Sequence, residues 1–133
     1  MVWGGMWRAV RLLAGFLAAG CSPLAAINGA VETEGLTISR AIAYGAGPRQ
    51  ALDVYRHAAA GAGPAPVVVF FYGGAWEYGD RGDYLFAAQA LAERGFVTVV
   101  PDYRLYPAAR FPAFVEDGAA AVRWVHDNIG AYG

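Results

Sequence analysis

Val67-Val68-Val69-Phe70-Phe71-Tyr72-Gly73-Gly74-Ala75-Trp76 is the stretch on which the reading of this chain turns. Pro66 precedes five consecutive apolar residues, β-branched and then aromatic, and Gly73-Gly74 ends them. An apolar run of this length between Pro and Gly predicts a strand, Val67–Phe71, buried on both faces. Two adjacent glycines after it let the backbone turn sharply and leave N–H groups exposed. Preorganised N–H groups at the end of a central strand can stabilise negative charge developing on an oxygen. A plain turn is the other reading of this stretch alone, since glycine pairs mark turns of many kinds.

Downstream, Asp83 to Arg94 is rich in Ala, Leu and Glu and reads as a helix with Tyr84, Ala88 and Leu91 on one face. Asp80 or Asp83 is placed to cap its start, and Gly95 stands where a left-handed C-terminal residue belongs. Phe96–Val100 is a second apolar strand. Strand, helix and strand with short joints predict a βαβ unit, hence parallel pairing. A Pro- and Tyr-rich loop follows over 101–111. Pro112 then opens a helix that should end near Asn128–Gly130. Val115, Gly118, Val122, Val125 and Ile129 form its apolar stripe, and Glu116 and Asp117 complement its dipole.

Upstream, Leu36–Ile42 and Gln50–Arg56 each alternate apolar and polar residues around Tyr44-Gly45-Ala46-Gly47-Pro48. That pattern predicts an antiparallel hairpin. Residues 57–66 read as a surface loop and 22–35, without periodicity, as a tether. The first 21 residues have the layout of a secretory signal peptide: Arg8 and Arg11, a short apolar run over 12–19, then Ala19-Gly20-Cys21. The apolar run is shorter than the ~20 residues a membrane span needs. Cys21 is the sole cysteine, so no intrachain disulfide is possible.

The whole is 133 residues, enough for one domain or part of one, 57% hydrophobic and 16% charged. Ten Arg, no Lys and eleven acids leave a net charge of −1 with no basic run, which argues against a nucleic-acid partner. His57 and His126 share no metal-ligand spacing, and nothing in the sequence calls for a cofactor or metal.

Three blocks together carry a family resemblance. Tyr72-Gly73-Gly74-Ala75-Trp76 resembles a His-Gly-Gly-X-Trp motif, with Tyr72 standing where His is usual. Val99 to Pro107 resembles an Asp-Tyr-Arg-Leu-X-Pro block, and Phe111 to Asp117 a helix-opening Phe-Pro-Ala-X-X-X-Asp. In this order and spacing they resemble the N-terminal half of an α/β-hydrolase, in the carboxylesterase group that includes hormone-sensitive-lipase-like and feruloyl-esterase-like enzymes. Leu17 to Cys21 separately resembles a bacterial lipobox, although Ala18 stands where Leu is preferred.

The resemblance implies an α/β fold, residues 36–133 forming its N-terminal part: an antiparallel hairpin, then parallel strands with crossover helices, the sheet incomplete. It implies that Gly74 and Ala75, with Gly73 shaping the turn, sit at an oxyanion hole. Tyr72, Trp76 and Tyr78 are candidate walls of a substrate pocket, and Asp102 and Arg104 a candidate ion pair holding the second loop. It implies acyl transfer by a serine on small-molecule esters. The lipobox resemblance implies lipidation at Cys21, export to a bacterial cell envelope and membrane attachment through the lipid.

Ser22 and Ser39 are the only serines, and neither lies in a G-x-S-x-G elbow. The serine, acid and histidine of the resembled family are therefore expected beyond Gly133, and this chain alone is expected to be inactive. The alternatives left open are a non-catalytic envelope lipoprotein that binds a partner, and a separate chain that supplies the second half. Without the elbow strand, Val67–Phe71 would be an open sheet edge.

Overall fold

The computed structural model describes residues 22–133. The leader segment and Cys21 lie outside the described residues.

One mixed sheet organises the chain. Strand β1 (Leu36–Ala43) pairs antiparallel with β2 (Ala51–His57), and β2 pairs antiparallel with β4 (Val97–Pro101). β4 pairs parallel with β3 (Val67–Val69), giving the order β1-β2-β4-β3. The hairpin and the parallel βαβ unit are both as the patterning predicts. Every residue of β4 is buried, and all but Thr98 are apolar, as a strand covered on both faces requires. β3 differs from expectation. It is shorter than Val67–Phe71 and lies at the sheet edge, with Val67 37% and Phe71 41% exposed. An apolar run marks a strand, but its second neighbour must be present to bury it.

Helices cover both faces. Helix α2 (Leu85–Ala92) packs Ala88 and Ala92 against Tyr55 and Val100. It starts two residues later than predicted because residues 81–84 form a 3₁₀ turn. That turn carries a capping box: Asp80 accepts from the Gly82 N–H, and Asp83 accepts from the Asp80 N–H. Gly95 follows α2 at φ +91°, the left-handed stop foreseen.

Helix α3 (Ala113–Asn128) covers the opposite face, where Val125 joins Leu52, Val54, Val97 and Val99. The stripe predicted for it is rotated. Asp117, Ala121 and Val125 face inward, whereas Val115 and Val122 are 57% and 49% exposed. The small Ala121 and a fully hydrogen-bonded Asp117 allow close approach to the sheet on a face that apolarity alone does not reveal.

Residues 22–35, read as a tether, carry a short helix, α1 (Pro23–Gly29). Pro23 supplies the preset φ of a first helical position. Docking comes from Asn28, whose amide donates to Gly82 O and Asp83 O and accepts from the Phe86 N–H. A lone polar side chain gives no periodic signal, so this anchor is invisible to pattern reading.

Candidate active site

The turn after β3 is built by glycine geometry. Gly74 has φ +142°, and a Cβ there would stand 1.9 Å from Tyr78 O. Ala75 and Trp76 follow at φ 53° and 64°, a left-handed pair that non-glycine residues rarely adopt. Gly74 O accepts from the Glu77 and Tyr78 N–H groups, and Trp76 O accepts from the Tyr106 N–H at 2.7 Å. The N–H groups of Gly73, Gly74 and Ala75 donate to no group among the described residues. Three successive free amide donors therefore sit in a strained turn at the carboxyl end of a parallel strand. Strain of this kind persists only where surrounding structure over-determines it.

That surrounding structure is a buried polar network. Tyr72, expected as a pocket wall, points instead into the core and is 3% exposed. Its ring stacks between Tyr84 and Tyr103. Its hydroxyl donates to Asp102 Oδ1 at 2.6 Å and accepts from Arg49 Nη2 at 2.8 Å. Burial, then the hydrogen bond to Asp102, hold the Tyr72 phenol well above its ordinary range. It therefore stays protonated and acts as a donor.

The predicted Asp102–Arg104 pair is not formed. Asp102 pairs with Arg81, through both the Arg81 backbone N–H and its guanidinium. Arg81 also reaches Asp53 Oδ1 at 2.8 Å. Burial would lower the Arg81 pKa, but the two carboxylates outweigh it and raise it. Arg104 instead grips Asp117, through its backbone N–H at 2.8 Å and its guanidinium at 2.8 and 2.9 Å. Gln50 Nε2 adds a bond of 2.7 Å. Burial of Asp117 would raise its pKa, but the Arg104 and Gln50 hydrogen bonds hold it below the ordinary 3.8. Asp117 is thus a buried anchor between α3 and the loop after β4. Adjacent carboxylate and guanidinium types foretold ion pairs. Only the folded backbone could say which residues pair.

Beside the turn, Trp76 stacks on Phe114 at 5.3 Å and meets Tyr103 edge-on. Trp76, Phe71, Phe114, Val115 and Val122 line an apolar groove of about 1040 Å³. Tyr78, 66% exposed, does not line it. Ser39 lies in β1, at the sheet edge opposite β3. His57 Nδ1 accepts from the Ala59 N–H at the end of β2. His126 sits on the exposed side of α3 beside Asp127. The described residues bring no serine and histidine together at the turn. Arg49 and Arg81, absent from the sequence reading, are the residues the structure adds.

The BD-FAE family model matches residues 52–133, more than half of the chain. The chain belongs to the BD-FAE family of α/β-hydrolases. Esterase LipC of Mycobacterium tuberculosis is 36% identical over 108 residues, covering 80% of this chain and 27% of LipC. Isoprenylcysteine alpha-carbonyl methylesterase ICME of Arabidopsis thaliana is 36% identical over 96 residues, covering 72% of this chain and 22% of that enzyme. Among solved structures, esterase B from Lactobacillus rhamnosis superposes with a TM-score of 0.72 at 27% identity, over 79% of this chain and 35% of the esterase. A bacterial heroin esterase superposes with a TM-score of 0.72 at 25% identity, over 83% and 35%. This BD-FAE chain spans about a quarter of the length of the curated relatives and a third of the solved esterases. The matched residues begin at Leu52, in β2, and include the turn and both ion-pair networks except Arg49 and Gln50.

Proposed function

We propose that this chain supplies the charge-stabilising part of a carboxylic-ester hydrolase. The observation that carries the reading is the set of free N–H groups on Gly73, Gly74 and Ala75, held in a strained turn by buried neighbours. In the proposed reaction a serine hydroxyl adds to the ester carbonyl carbon, its proton passing to a histidine. The carbonyl oxygen becomes an oxyanion, to which the Gly74 and Ala75 N–H groups donate. Collapse expels the alcohol, which takes up the proton, and water then hydrolyses the acyl-enzyme by the same route. One such donor is worth ~3–4 kcal/mol in the transition state. Trp76 and Phe114 place an apolar wall beside the turn, suited to the acyl or alcohol portion of a small ester.

The nucleophile, acid and histidine come, in this reading, from sequence outside the 133 residues. Family membership and the relatives' esterase names support the reaction class, and the two serines, both outside any elbow, support the division of labour. We further propose export and lipid attachment at Cys21. Helix α1 begins two residues after that cysteine, so a lipid there would hold the domain at a membrane surface.

A fluorophosphonate probe tests the division of labour. Residues 22–133 should remain unlabelled, and stoichiometric labelling would overturn it. The downstream reading frame tests the rest. A G-x-S-x-G elbow in that longer protein, with ester hydrolysis, is the expected outcome, and its absence favours the non-catalytic alternative.

A further inference from the structure

The turn at Gly73–Ala75 is weakly held by its own backbone. Gly74 O and Trp76 O accept the only backbone hydrogen bonds that close it among the described residues. Its two left-handed residues each cost ~1–2 kcal/mol. Donors that act on a transition state must nevertheless hold their positions to within about 0.5 Å. An external brace is required.

Arg49 has the geometry of that brace. It stands in the β1–β2 turn, remote in sequence from everything it touches. Its Nη2 donates to the Tyr72 hydroxyl and to Gly79 O, both at 2.8 Å. Tyr72 immediately precedes Gly73, and Gly79 immediately follows Tyr78, so one guanidinium grips both ends of the loop. Its Nε donates to Tyr103 O at 2.8 Å. The Tyr103 hydroxyl in turn donates to Tyr72 O at 2.6 Å, which closes the circuit on the residue before the turn. Arg81 differs. Its side chain reaches Asp53 and Asp102 and touches neither end of the loop. The planar fork of Arg satisfies three acceptors in fixed directions, which a Lys ammonium on a flexible stem does not reproduce.

We propose that Arg49 is the positioning residue of the oxyanion turn, clamping the two ends of loop 73–78 so that the Gly74 and Ala75 donors keep a fixed geometry. The assignment of those donors rests on the esterase reading above, whereas the clamp can be read without any catalysis.

The test is amide hydrogen exchange, followed by NMR, on the 133-residue chain and its Arg49→Met and Arg49→Lys variants. The reporters are the Glu77, Tyr78 and Tyr106 amides, which bond to the loop carbonyls. In Arg49→Met they should exchange at least ~10-fold faster, while Val99 and Val100 of β4 keep their protection. Arg49→Lys should recover less than half of the lost protection. Unchanged loop exchange in Arg49→Met overturns the clamp. So does an equal loss of protection in β4, which would make Arg49 a residue of the whole fold. If Arg49→Met does not fold, Arg49→Lys decides, and wild-type loop exchange in that variant overturns the proposal. In a longer form that carries the nucleophile, Arg49→Met should lower kcat at least ~10-fold with KM held. A loosened loop in a protein with no esterase activity would count against the esterase reading and leave the clamp standing.

Discussion

Tyr72 occupies the position before the glycine pair, and its hydroxyl is used twice, as donor to Asp102 and as acceptor from Arg49. Phenylalanine would keep the stacking on Tyr84 and Tyr103 and lose both bonds. Asp102 would keep its bonds from Arg81, so Tyr72→Phe should cost about 1–3 kcal/mol, measured as a lower urea midpoint. No loss would show that the hydroxyl is dispensable. Gly74→Ala should be worse, because a Cβ at Gly74 overlaps Tyr78 O at a φ that alanine resists. A second titrating group makes a pH prediction. Burial, then the charge of Asp53, push Tyr55 up from 10.0 to about 12. A raised folded value means that this stabilisation is complete below pH 10 and is lost as pH rises from 10 to about 12. Phenolate absorbance should show Tyr55 ionising late, together with unfolding, and a titration near 10 would refute it. At this scale the sequence was readable where backbone demands a residue type, as at Gly74. It was silent on Arg49, whose partners lie 23, 30 and 54 residues away.

Elements were more legible than residues, and their failures share a cause. The hairpin, the βαβ unit and α3 all stand where period and punctuation placed them. What periodicity missed was polar burial. The inward face of α3 begins with Asp117, 1% exposed, which a count of apolar positions treats as solvent-facing. Its four donors come from Arg104 and Gln50, so its charge is stabilising only in the folded chain. Because Arg104 is 39% exposed, solvent screens part of the attraction. Asp117→Asn should cost about 1–3 kcal/mol at neutral pH, below the full penalty for breaking a buried pair. The pH dependence has a definite sign. A folded value below 3.8 means that the contribution is present above 3.8 and is lost as pH falls through the lower folded value. Urea midpoints of wild type and Asp117→Asn should therefore converge in acid. A constant gap down to pH 2, roughly, would show that packing and not charge holds the helix.

The described residues form one sheet with β1 at one edge and β3 at the other. Paired strands and two helices bury β2 and β4, whereas β3 presents an edge that no strand pairs among the described residues. Next to it, Phe71, Val115 and Val122 are 41%, 57% and 49% exposed around the apolar groove. The relatives are three to four times longer than the stretch this chain matches, so in them more polypeptide is available to cover such a face. Here nothing among the described residues covers it, and an uncovered apolar edge is a template for self-association. Val115 and Val122 allow this to be separated from stability, because they contribute apolar surface without being buried. Replacing both by Lys should shift sedimentation toward monomer while moving the unfolding free energy by no more than about 0.5 kcal/mol per site. Wild-type chain that stays monomeric across the concentration range would instead mean that the edge is protected, by its shortness or by Arg123 and His126 at the groove rim. That outcome would favour a free-standing binding protein over the first part of an esterase.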